Sequence, residues 1–256
     1  MKDIKKHLIK LLLIFLFASC SSKKSVHYLQ DANSNSIYKF SMTDHIISPG
    51  DILKISVKTK NPENLVSISE IAPTNAPNQN RETLIYDGFP VTVNGNIDYP
   101  ELGKIKAKGF TVNELSALIS DKLSDLNILI NPVVEIKVLN LNFTVLGEVN
   151  NPGKYYFDEY NLNILQALGI AGDLTITGDR KKIKLIRFSE ENKKIFEIDL
   201  TKTDFLTEDT FQIISGDIIV VDQNTTRVKS AGIIGNSGTL LSLLSFILSS
   251  IIVISR

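Results

Sequence analysis

Ile46-Ile47-Ser48-Pro49-Gly50-Asp51-Ile52-Leu53-Lys54-Ile55-Ser56-Val57 opens the first folded stretch of the chain, and Ile213-Ile214-Ser215-Gly216-Asp217-Ile218-Ile219-Val220-Val221 closes the last one. In each, a Gly-Asp pair stands directly before an apolar run. A tight turn explains this, because Gly accepts the left-handed backbone and a following Asp can bond nearby amides. The first run alternates Leu53, Ile55 and Val57 with Lys54 and Ser56, which is the period of a strand with one face buried. The echo between the two runs is also what convergent turn chemistry would produce.

Working outward from the first run, residues 61–83 are rich in Asn, Pro and Glu and read as a long loop. Val91-Thr92-Val93 and Asn96-Ile97-Asp98-Tyr99 flank Asn94-Gly95, a pattern that predicts a hairpin. Thr111-Val112-Asn113-Glu114 forms a capping box, and Leu115, Leu118, Ile119 and Leu123 continue an amphipathic helix behind it. Pro132 to Val138 alternates as a further strand, so this block is a small α+β layer.

Working back from the closing run, Phe143 to Val149 reads as a strand, Asn150-Asn151-Pro152-Gly153 as a turn, and Lys154 to Phe157 as the next strand. Asn163 is placed to cap a short helix that stops at Gly169 or Gly172. Lys182 to Phe188 and Lys194 to Leu200 supply two more strands, with Glu190-Glu191 at the tip between them.

The two ends have a different composition. Lys2, Lys5, Lys6 and Lys10 precede an apolar run from Leu11 to Ala18, followed by Ser19 and the single cysteine, Cys20. This is the layout of a signal peptide, and the run is too short to cross a bilayer. A cysteine directly after such a segment resembles the lipobox of bacterial lipoproteins. The usual Leu at the third position before it is replaced by Phe17. The resemblance implies that Cys20 carries the lipid, and Ser21 in the next position favours the outer membrane. A lone cysteine excludes an internal disulfide and a cysteine-rich zinc site.

At the other end Thr239 to Ser255 holds seventeen uncharged residues before Arg256, and Gly232, Gly235 and Gly238 precede them. As a helix this span measures about 25 Å, a little under the ~30 Å of a hydrocarbon core. Ser242, Ser245 and Ser249 fall on one helix face. They are candidates for a helix-helix interface or a wet lumen. The alternative is a plain anchor whose serines bond back to their own helix.

Composition and motifs exclude several function classes. Lys plus Arg and Asp plus Glu are both 28, so no basic excess points to nucleic acid. Hydrophobic residues make up 43% of the chain, enough for a core. His7, His27 and His45 have no partner at metal-ligand spacing, and no Gly-rich phosphate loop is present. Asp51 and Asp217 read as turn residues rather than catalytic acids. Tyr155 and Tyr156 could stack on sugars, but one of two successive strand residues faces the core. No catalytic residue, metal or cofactor is expected.

Taken in order, ISPGDILKISV, NGNIDYPELGKIKAKGFTVNEL and NPVVEIKV resemble the export domain of the Wza-type outer-membrane polysaccharide export family. VLGEVNNPGKYYF, NILQALGIAGDLT, KIKLIRF and IISGDIIVV resemble the SLBB domain that usually follows it. That family often ends the short helix with Ala-Gly-Gly, where this chain has Ala171-Gly172-Asp173. The resemblance implies five segments: a signal peptide over 1–19, a lipidated tether over 20–45, an export domain over 46–140, a β-grasp-like SLBB domain over 141–228 and a C-terminal transmembrane helix over 229–256. It further implies a lipid-anchored ring of identical subunits with its body in the periplasm. An inner-membrane co-polymerase would be its partner, and a capsular polysaccharide or exopolysaccharide its cargo. A lipid-anchored glycan-binding or adaptor protein that does not itself form the pore fits the same residues, and a glycan hydrolase is a remoter third reading.

Overall fold

The computed structural model describes residues 27–59, 85–189 and 192–224, together with Gly238, Leu241, Ser242, Ser245, Phe246 and Ser249. The expected loop over 61–83 and the Glu190-Glu191 tip lie outside the described residues.

The first domain carries β1 (Ile52–Lys58) at the centre of a three-stranded antiparallel sheet, between β2 (Phe89–Pro90) and β5 (Val133–Val138). Leu53 and Ile55 turn inward and pair with Val138 and Ile136 across β5. The helix α1 (Val112–Asp125) starts where its capping box predicts, with Glu114 N–H donating to Thr111 Oγ1 at 3.2 Å and Thr111 N–H donating to Glu114 at 2.8 Å. Its buried face is Leu115, Ile119 and Leu123. Ser116 and Ser120 donate their hydroxyls to the carbonyls of Val134 and Pro132, so α1 also covers the outer edge of β5.

The Asn94-Gly95 hairpin is not formed as expected. Gly95 does occupy the left-handed region, at φ +78°, and its amide bonds Thr92 O at 2.7 Å. However, β2 pairs with β1 instead, and β3 (Asn96–Tyr99) takes β4 (Gly103–Lys106) as its partner. Val91, the first residue of the expected strand, donates its amide to Asp51 O at 2.8 Å and accepts from Gly50 N–H at 2.9 Å, so the Asn-Gly corner redirects the chain between two sheets.

The second domain is a five-stranded mixed sheet. In chain order its strands are β6 (Asn142–Gly147), β7 (Gly153–Tyr156), β8 (Gly178–Phe188), β9 (Lys193–Ile198) and β10 (Ile218–Gln223). They lie in the order β7-β6-β10-β8-β9, with β6 and β10 parallel at the centre. The short helix α2 (Ile164–Ile170) has its own capping box, Asn163 with Gln166, and buries Ile164, Ala167 and Leu168. Tyr155 stacks on Phe143, at 5.5 Å between centroids, while Tyr156 remains partly exposed beside Lys154. The buried side chains of both domains form one continuous core that passes from Leu53 through Leu141 to Phe143 and Ile219.

The fold class is α+β. No C-terminal membrane helix is found, because among the described residues no helix is long and apolar enough to cross a bilayer. The expected span of seventeen residues is itself only about 25 Å as a helix, and most of 229–256 lies outside the described residues. The six positions described there are helical and exposed.

Gly147 ends β6 at φ +91°, and a Cβ on it would stand 2.0 Å from Val221 O, at the rung that joins the two parallel strands. Gly147→Ala should therefore cost about 3 kcal/mol, from a strained backbone and forced separation of the strands. Gly153 meets nothing nearer than 4.0 Å, and Gly153→Ala should stay within about 1 kcal/mol. Urea denaturation of the two variants would show the contrast.

Candidate functional site

Two Gly-Asp turns with buried carboxylates flank the linker between the domains. In the first, Gly50 stands at φ +94°, Asp51 N–H returns to Ser48 O at 3.1 Å, and Asp51 Oδ2 accepts from Ser48 N–H at 2.9 Å. In the second, Gly216 stands at φ +88°, Asp217 N–H returns to Ile214 O at 3.2 Å, and Asp217 Oδ2 accepts from Ile214 N–H at 2.9 Å. The same carboxylate-to-amide closure occurs in both, which makes the echo read from the sequence a structural one.

Each carboxylate also has a cationic or imidazole neighbour. His45 Nε2 lies 2.8 Å from Asp51, and Arg187 reaches Asp217 with Nε at 3.0 Å and a terminal NH2 at 2.7 Å. Asp217 is fully buried. Burial raises its pKa above the ordinary 3.8, against the opposing pull of Arg187 and of the Ile214 amide. The ion pair thus opposes the neutralisation that burial favours.

The linker binds both turns. Asn140 donates to Gly50 O at 2.8 Å and accepts from Ile52 N–H at 2.9 Å. Two residues later, Asn142 O accepts from Gly216 N–H at 2.7 Å. Around this joint Gln212 bridges three segments. Its amide nitrogen donates to Thr43 O at 2.8 Å and Tyr160 O at 2.9 Å, and its oxygen accepts from Thr43 N–H at 2.9 Å. Tyr160 accepts from Val138 N–H at 3.2 Å and stacks beside His45. A cavity of about 20 Å³, with room for one water, lies between Thr43, His45, Leu141, Tyr160 and Gln212.

A second cluster lies at the end of the second domain. Tyr28 donates its hydroxyl to Asp173, and its ring faces the Arg180 guanidinium at 5.3 Å. Burial, and after it the bond to Asp173, raise the Tyr28 phenol well above its ordinary range. Leu29 and Gln30 donate their amides to Leu200 O and Thr201 O at 3.0 and 2.7 Å. The stretch expected to be a tether therefore lies against the second domain from residue 27 onward. Asp173 holds φ +67° and accepts from Leu174 N–H at 2.6 Å. The Asp that departs from Ala-Gly-Gly keeps the left-handed turn and adds an acceptor for Tyr28.

The residues singled out from the sequence are not brought together. Cys20 lies outside the described residues. Ser242, Ser245 and Ser249 are exposed on a helical stretch, and the hydroxyls of Ser245 and Ser249 donate to Ser242 O at 2.9 Å and Ser245 O at 2.8 Å. Those two serines thus bond back to their own helix. Among the described residues no group of three or more His, Cys, Asp or Glu could hold a metal. Tyr28, Tyr160, Arg187 and Gln212 were not anticipated. Each is one polar residue in an unremarkable run, and its partner is far away along the chain.

Comparison with known proteins matches residues 41–139 to the family described as polysaccharide biosynthesis/export protein, and residues 142–198 to the SLBB domain. The boundary falls at the Asn140–Asn142 linker. A stretch of 104 residues is 35% identical to the EPS I polysaccharide export outer membrane protein EpsA of Ralstonia nicotianae, and 32% identical to that of Ralstonia solanacearum. Each match covers 39% of this chain and 27% of the relative, so the similarity spans about a quarter of those proteins' length.

Two predictions follow from the clusters. Replacing Arg187 by Met leaves Asp217 buried without its counter-charge, at a cost of about 3 kcal/mol. A carboxyl whose pKa is raised on folding contributes its stability below the unfolded value and loses it as pH rises through the folded one. The variant's deficit in urea midpoint should accordingly be larger at about pH 8 than at about pH 5. Separately, Tyr28→Phe and Asp173→Gly each remove the hydroxyl-carboxylate bond while sparing the sheet. In both, the Leu29 and Gln30 amides should exchange with deuterium about tenfold faster or more, with the β6 and β10 amides unchanged.

Proposed function

The chain belongs to the polysaccharide biosynthesis/export family, with an SLBB domain as its second module, and from that premise we propose that it is an outer-membrane lipoprotein whose copies form a ring-shaped channel for capsular polysaccharide or exopolysaccharide. It exports a polymer and is not an enzyme. Cys20 carries the lipid, and the body stands in the periplasm. An inner-membrane co-polymerase meets the ring from below, and the C-terminal segments line or anchor the outer-membrane passage.

The observation that carries this reading is the order of the two domains, fused through a three-residue linker into one continuous core. The central parallel pair β6-β10, flanked by β7 and β8-β9 and packed with α2, supports a β-grasp-like second domain. Both relatives are named as outer-membrane export proteins of a polysaccharide, which supports the same location and class of cargo. A polymer moves through such a tube by weak, repeated polar contacts, so no reactive constellation is needed.

An adaptor role, in which another protein forms the pore, is favoured by one observation. Ser245 and Ser249 spend their hydroxyls on their own helix, as a plain anchor would. Deleting residues 239–256 separates the readings. If the tails form the passage, the truncated protein is still made and folded but surface polysaccharide is lost, and the full-length protein conducts ions in planar bilayers. Normal export from the truncated form, or no conductance from the full-length one, would exclude the channel.

A further inference from the structure

The first and last residues of the described body, near His27 and Asn224, meet at one loop. On the N-terminal side, His27 to Asp31 is held by the Leu29 and Gln30 amide bonds, by Thr203 Oγ1 donating to Asp31 at 3.3 Å, and by Tyr28 on Asp173. Tyr28 also serves the interior. Arg180 is 5% exposed, its terminal nitrogens donate to the carbonyls of Leu174, Thr175 and Gly178, and its Nε has no partner among the described residues. The ring of Tyr28 faces that buried cation. On the C-terminal side, Asn224 donates its amide to Thr177 O at 2.7 Å and its side chain to Ile176 O at 3.2 Å. Residues 1–26 therefore connect beside Asp173 and Arg180, and residues 225–256 connect beside Ile176 and Thr177, all within one short stretch.

That stretch also exposes apolar surface. Ile176 is 77% exposed at its tip, and Ile170, at the last turn of α2 leading into it, is 47% exposed. Thr175 and Thr177 turn their hydroxyls inward to Glu148, which fixes the loop with Ile176 outward. We propose that the Ile170–Gly178 end of the second domain is the surface that lies against the outer-membrane headgroups, with Ile176 inserted at the level of the acyl boundary. The occupant is lipid because the segment bearing the lipidation cysteine and the uncharged C-terminal run both leave the body there. A bilayer reached by both would lie against whatever stands between them. This rests on the proposed function, which places both ends in that membrane. The clasp of Tyr28 on Asp173 and Arg180 then sets the acyl chain and the C-terminal segment on the same side of the body, and points the first domain away from the lipid.

Site-directed fluorescence tests this on the full-length, acylated protein in phosphatidylethanolamine–phosphatidylglycerol vesicles. An environment-sensitive dye is attached to Ile176→Cys or to Val93→Cys, the latter being 90% exposed on the first domain. The expected result is a blue-shifted emission at position 176 that nitroxide-bearing lipids quench, with neither effect at position 93. Protein that floats with the vesicles while position 176 stays in water overturns the inference and leaves the functional reading standing. A blue shift at 176 without nitroxide quenching means protein covers the loop, and overturns it as well. Protein that does not float at all overturns both.

Discussion

The domain arrangement depends on two carboxylates buried at the ends of one short linker. Asp51 and Asp217 each close a turn by accepting the amide three residues back, and Asn140 and Asn142, two residues apart, bind the two turns from between. A buried carboxylate is expensive unless its hydrogen bonds are complete. Rotation of one domain against the other would break the bonds that cross this joint, Gln212 to Thr43 and Tyr160 to Val138, and would disturb the apolar core that the two domains share. The joint is therefore fixed by polar satisfaction laid over hydrophobic continuity. Gln212 extends this to the incoming chain at Thr43, and Tyr160 extends it to the edge of the first domain at Val138.

Much of this fold was legible in the sequence wherever the signal was local. Both capping boxes, the α1 stripe and the Gly-Asp turns depend on neighbours within a few residues, and they stand where their patterns put them. The Asn94-Gly95 hairpin misled because a turn signal reports a change of direction and says nothing of which strand will pair. The competing edge, β1 and the Gly50-Asp51 turn before it, which takes both backbone groups of Val91, decided that. Gly147 and Gly153 look equivalent in the run that reads Gly147-Glu148-Val149-Asn150-Asn151-Pro152-Gly153, yet only Gly147 lies against a neighbouring backbone. Nothing in a single sequence tells a glycine needed for close approach from one that merely turns.

The polar network was not legible, and the reason is distance along the chain. Arg187 meets Asp217 thirty residues away, and Gln212 meets Thr43 across 169. A polar residue in a strand reads as solvent-facing until its partner is known. Asp173 shows the reverse case. Seen alone it departs from a family pattern at a position that favours glycine. Seen with Tyr28, it holds the first described residues of the chain onto the far end of the second domain.

For the proposed ring, these two features bear on closure. Heterologous contacts close into a ring only if the rotation from one subunit to the next divides a full turn, and an error in that angle repeats at every interface. A subunit of two loosely hinged domains would satisfy closure in one layer and miss it in the other. A three-residue linker with polar bonds across the joint removes that freedom, because the second domain cannot tilt without breaking Gln212 from Thr43 and Tyr160 from Val138. The same rigidity suits a passage whose cargo binds weakly. Sliding contacts supply little energy to hold a shape, so the wall must bring its own stiffness, and here that stiffness comes from charge and amide groups kept out of water.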